Sequence, residues 1–147
     1  MINVWLTDEE QARLHRLAVD AANADLDDVA RASAVVRAFL RDLRRKYGDL
    51  PGLLDIEACY VSEMSEAEQL LLAGYTAAER ASDHRNCLLL ATSLAAFYLD
   101  DRSDLRRARE WVVVATNHIV GAPTDDMENL ARLRAAIERQ TTDPDPS

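Results

Sequence analysis

The stretch from Cys87 to Tyr98 has no polar face. Cys87, Leu88, Leu89, Leu90, Ala91, Leu94, Ala95, Phe97 and Tyr98 cover nearly the whole circumference of a helix. A helix that is apolar all round must be covered by other elements on every side. This segment is therefore expected to be the centre of a helical core. The rest of the chain leaves little room for a β fold. Sandwiches and barrels need turn residues every 8–12 positions or so, and the 147 residues include only four Gly and four Pro. Hydrophobic residues at 48% and charged residues at 29% are those of a globular chain.

No run of about 18 apolar residues occurs, so no membrane span is expected. Met1-Ile2-Asn3-Val4-Trp5 lacks the basic flank and apolar core of a signal peptide. Cys59 and Cys87 make neither a disulfide framework nor a four-thiolate zinc site. Together these features predict a cytoplasmic protein.

The fold expected is mainly α. A short strand over Ile2–Leu6 alternates apolar and other residues. Thr7 then caps a first helix through a Thr7-x-x-Glu10 capping box, with Leu14, Leu17, Ala18 and Ala21 on one face. A second helix is expected over about 26–46, with Val29, Ala32, Val36, Phe39, Leu40 and Leu43 as its apolar stripe. Tyr47-Gly48-Asp49-Leu50-Pro51-Gly52 is the strongest break, so it divides the chain. The units expected are a domain over 1–47, a linker over 48–52, a helical domain over 53–140 and a mobile tail over 141–147.

Within the second domain, Leu53–Tyr60 reads as a short helix, with a strand through Cys59-Tyr60-Val61 as the weaker option. A Ser65-x-x-Glu68 capping box opens a helix to about Ser82, whose Ala67, Gly74, Ala77, Ala78 and Ala81 invite close approach of a neighbour. Asp83 caps the apolar helix through about Leu99. Asp104 caps another through about Val120, and Thr124 caps the last through about Arg139. The four amphipathic and apolar helices together predict an antiparallel helical bundle.

The net charge of −9 is unevenly placed. Residues 1–50 hold nine acids and eight bases, whereas the other 97 hold 17 acids and nine bases. The acidic second part argues against nonspecific nucleic-acid binding and suits a protein partner. The near-neutral first part ends on the basic run Arg41, Arg44, Arg45 and Lys46. Cations there also complement a helix C-terminus.

Residues 1–46 or so resemble the ribbon-helix-helix DNA-binding family. The likeness lies in the opening strand, the Leu6-Thr7-Asp8-Glu9-Glu10 helix start, and Ser33-Ala34-Val35-Val36-Arg37-Ala38-Phe39-Leu40 in the second helix. Independently, one short strand cannot satisfy its own backbone, and its simplest partner is the same strand of a second copy. The resemblance implies a homodimeric, DNA-binding transcriptional regulator. Ile2, Val4 and Leu6 would face the core, while Asn3 and Trp5 would face the major groove. Arg31, near the start of the second helix, would contact the DNA backbone. Three features depart from the family: Trp5 stands where a polar reader is usual; either the connection between the helices is long or the second helix starts early; and an early start puts Asp25, Asp27 and Asp28 at the helix N-terminus that the family uses to hold a phosphate, whereas a start near Arg31 does not. The alternative is a non-enzymatic helical interaction or scaffold protein whose strand only dimerises it. Leu94-Ala95-x-x-Tyr98 followed by Ala108-x-x-x-Val112-x-x-Ala115 also looks like a tetratricopeptide repeat, one residue off its usual spacing.

No catalytic, cofactor or metal site is expected. His84-x-x-Cys87 lacks companion ligands, and Cys87 lies on an apolar stripe. His15 and His118 are isolated in sequence. Glu63-x-x-Glu66-x-Glu68 has no nearby His. No Gly-rich phosphate loop occurs. Trp111 reads as core.

Overall fold

The computed structural model describes residues 6–142, which form seven helices and no strand among them. The expected strand over Ile2–Leu6, with Asn3, Val4 and Trp5, lies outside the described residues save for Leu6. Leu6 is buried in the core of the first two helices.

Thr7 caps α1 (Asp8–Asn23) as its residue type predicts. Its hydroxyl accepts from the Glu10 N–H at 3.1 Å, and Glu10 reaches back to the Thr7 N–H at 2.9 Å. The same carboxylate ties α1 to the end of α2 (Val29–Tyr47). It accepts from the Tyr47 hydroxyl at 2.5 Å and the Lys46 ammonium at 2.9 Å. These bonds, the Tyr47 one first, then the Thr7 N–H and Lys46, hold the Glu10 pKa down at about 2. A carboxylate depressed in the folded state stabilises it above its unfolded pKa and loses that contribution as pH falls through the folded value. Stability measured by urea titration should therefore drop between about pH 4.5 and about pH 2. Glu10→Gln should flatten that part of the profile; an unchanged profile would remove the latch.

The second helix begins at Val29, not at 26. Asp28 and Val29 donate to the Asp25 carbonyl, so residues 25–28 form a turn before the helix. Gly48, at φ +88, ends α2 in the left-handed region that favours glycine. Pro51 then opens α3 (Pro51–Ala58), where its missing N–H costs nothing. The short helix thus starts and ends two residues before the expected Leu53–Tyr60.

In α4 (Met64–Arg80) the expected Ser65 capping box does not form. Glu63 is the extended residue, and its carbonyl already accepts from the Ala67 N–H at 3.1 Å. Ser65 therefore lies inside the first turn, where a cap cannot act. Asp83 and Asp104 do cap α5 (His84–Asp100) and α6 (Leu105–Thr116), accepting from the N–H groups of Asn86 and Arg107. Helix α6 stops at Thr116 rather than near Val120, because Asn117 and His118 tighten the last turn. Gly121 then turns the chain at φ +74. Helix α7 (Thr124–Thr142) takes Thr124 as its first helical residue, with the Pro123 carbonyl accepting from Asp126 and Met127. It runs past Arg139 through Thr141 and Thr142, which the expected tail had included; 143–147 lie outside the described residues.

Each helix packs on its neighbour in sequence, and α3, α5 and α7 also touch in a row. α4 lies against α3 and α5, and α6 against α5 and α7, while α4 and α6 reach each other through side chains, Tyr75 on Trp111 and Glu68 beside Arg107. The result is a stack of helical hairpins with α5 covered by α3, α4, α6 and α7. This is why α5 has no polar face, as its composition predicts. Leu94, Ala95, Tyr98, Ala108, Val112 and Ala115, the residues of the tetratricopeptide likeness, are all buried in this one core. At Gly74 of α4 a Cβ would meet the Leu90 Cδ1 at 2.8 Å, so the small residue is what lets α5 come this close.

A second core joins Leu14, Val36, Phe39, Leu40 and Leu43 of α1 and α2. Leu53 of α3 belongs to it, and Ile56 packs against it. The chain break at 48–52 is therefore spanned by packing. It is also spanned by ion pairs: Arg44 to Glu57 at 3.1 Å and Arg37 to Glu66 at 2.6 Å.

Candidate functional site

Of the three residues expected to meet DNA, only Arg31 lies among the described residues. It is exposed on the first turn of α2. Asp25, Asp27 and Asp28 are exposed just before it. Their negative charge favours the positive end of the helix dipole and opposes a phosphate there. Asn3 and Trp5 fall outside the described residues.

The acidic trio noted in sequence splits up. Glu66 pairs with Arg37, and Glu68 lies near Arg102 and Arg107 at 4.0 and 3.8 Å. Glu63 alone borders a cleft of about 520 Å³ between α3, the start of α4 and α5. The cleft has an apolar floor that includes Ala67, Leu71 and Phe97. Around it stand Asp55 of α3, Glu63, Asp100 at the end of α5, and Asp101. Burial pushes the Asp55 carboxyl above the usual range, against a hydrogen bond to Ser93 that holds it down. Among the described residues no Lys, Arg or His lines this cleft. An apolar trough ringed by carboxylates is complementary to a ligand that is apolar on one side and cationic at its edges.

Sequence reasoning named none of these carboxylates as a site. Asp55 and Asp100 are far apart in the chain, and only the row formed by α3 and α5 makes them neighbours. The one available signal was the acidic balance of the second part of the chain.

The histidines require a correction. His118 is not isolated: its Nδ1 lies 3.0 Å from the Nδ1 of His84, and its Nε2 lies 3.4 Å from the Tyr75 hydroxyl. The turn after α6 places His118 over the first residue of α5. Trp111 is half-buried against the core as expected, edge-on to Tyr75 at 5.0 Å. Cys87 is buried, and no cluster of three or more His, Cys, Asp or Glu residues suited to a metal is found among the described residues. No helix of the described residues is long and apolar enough to cross a membrane.

Neither a scan against protein-family models nor searches of the curated proteins and of the solved structures return a match to this chain.

Proposed function

We infer that this chain is a non-enzymatic helical interaction protein, and that its acidic cleft takes a basic, amphipathic segment of a protein partner. One observation carries this reading: four carboxylates, Asp55, Glu63, Asp100 and Asp101, surround an apolar floor, and among the described residues no Lys, Arg or His lines the cleft. Apolar side chains of the segment would cover Met64, Val61 and Ala96, the lining apolar residues that keep exposure. Its Lys or Arg residues would face the rim, where complementary charge speeds encounter and selects the partner.

The test uses a labelled peptide of alternating Lys and Leu, followed by fluorescence anisotropy. Binding should weaken at least about fivefold in Asp100→Asn/Asp101→Asn and fall with added salt. The pair Asp125→Asn/Glu128→Asn, which removes equal charge away from the cleft, should leave affinity unchanged. Equal losses in both double variants would reduce the effect to net charge and sink the cleft.

A second reading is a homodimeric DNA-binding regulator built on residues 1–47, favoured by the exposure of Arg31 on the first turn of α2. It expects duplex DNA to bind with a salt slope set by the phosphates contacted. Arg31→Ala would lower that slope by about one contact, and Asn3→Ala and Trp5→Ala would relax sequence preference. No DNA binding at low salt would leave the N-terminal segment as a dimerising element only.

A further inference from the structure

We propose that His84 and His118 form a two-histidine site for a late first-row divalent transition metal such as Zn²⁺. The two Nδ1 atoms face each other at 3.0 Å across the junction of α5 and the turn after α6. Two nitrogens bound to one metal at about 2.0–2.1 Å, with an angle between right and tetrahedral, are about 2.9–3.4 Å apart. The pair is thus already at ligand spacing; the metal would lie to one side of the N···N line, and the two rings would turn their lone pairs toward it.

The proton balance is simple. In the neutral pair one Nδ1 carries a hydrogen and donates it to the other. For both to ligate, that hydrogen leaves Nδ1 and its ring takes one up at Nε2 through solvent, with no net change in charge. His118 is prepared for this tautomer, because its Nε2 faces the Tyr75 hydroxyl oxygen at 3.4 Å. A ligating histidine commonly has its other ring nitrogen held in this way, which fixes the ring. Tyr75 is itself held edge-on by Trp111. Imidazole nitrogen suits Zn²⁺, Cu²⁺ and Ni²⁺ rather than Mg²⁺ or Ca²⁺. No further His, Cys, Asp or Glu completes a cluster among the described residues, so the remaining coordination positions fall to water.

The experiment titrates ZnCl₂ into the full chain carrying Cys59→Ser, which removes the exposed thiol as a competing ligand. Affinity is read by calorimetry and the ligating nitrogen by ¹⁵N imidazole chemical shifts. His84→Ala and His118→Asn should each lower Zn²⁺ affinity at least about tenfold, and the shifts should report Nδ1 as the bound nitrogen. His84 is exposed at the first position of α5, so its variant keeps the fold and decides alone if His118→Asn does not. Loss of less than tenfold in His84→Ala, or ligation through Nε2, overturns the proposal.

Discussion

Arg44→Ala is expected to destabilise the protein by about 3–5 kcal/mol, the range for breaking a buried ion pair by removing one partner. Glu57 is the reason. Its side chain is only 3% exposed, and both carboxylate oxygens accept from Arg44 Nη1, at 3.1 and 3.2 Å. Arg44 also donates through Nε to Asp49 at 2.9 Å, so it clasps the turn between α2 and α3 as well. Burial alone would make the guanidinium easier to deprotonate, but the bonds to Asp49 and Glu57 outweigh it and raise its pKa. Without Arg44 a carboxylate is left unpaired at the seam of two cores. Replacing both partners by apolar groups, Arg44→Met with Glu57→Leu, should recover most of the loss, because the cost lies in the orphaned charge. Urea denaturation of the two variants decides the matter. A loss below about 1 kcal/mol in Arg44→Ala would place the pair among exposed ion pairs.

Leu94→Ala should cost about 2–5 kcal/mol, as deletions of buried leucines do. Leu94 is fully buried in α5, the helix enclosed by α3, α4, α6 and α7. With neighbours on all sides, the core has little freedom to close the cavity, and the upper part of the range is expected. That is a large share of a typical folding free energy of about 5–15 kcal/mol. Leu26→Ala is the matched control. Leu26 is 95% exposed in the turn between α1 and α2, and its truncation should change stability by less than about 0.5 kcal/mol. Equal urea midpoints for the two variants would contradict the central position of α5.

The caps at Thr7, Asp83 and Asp104 were legible because an N-cap is a local event. Its oxygen reaches an N–H only a few residues ahead, so the residues that decide it are neighbours in the chain. The central place of α5 was legible too, since a helix without a polar face has one way to satisfy its surface. Ser65 shows the limit of the same reasoning. Its motif is complete, yet Glu63 takes the extended conformation and the helix starts before the motif can act.

By itself, then, the sequence determined the helical class, most of the helix positions and the identity of the central helix, through interactions that span a turn or two of chain. Only the tertiary structure decided which distant groups meet. Arg44 reaches Glu57 across the Gly48–Gly52 break, Asp55 comes to share a cleft with Asp100, and His84 meets His118, 34 positions away. Periodicity reports which face of a helix is buried but not which helix covers it. A charge or a ring at one position carries no mark of its partner until packing brings the two within reach.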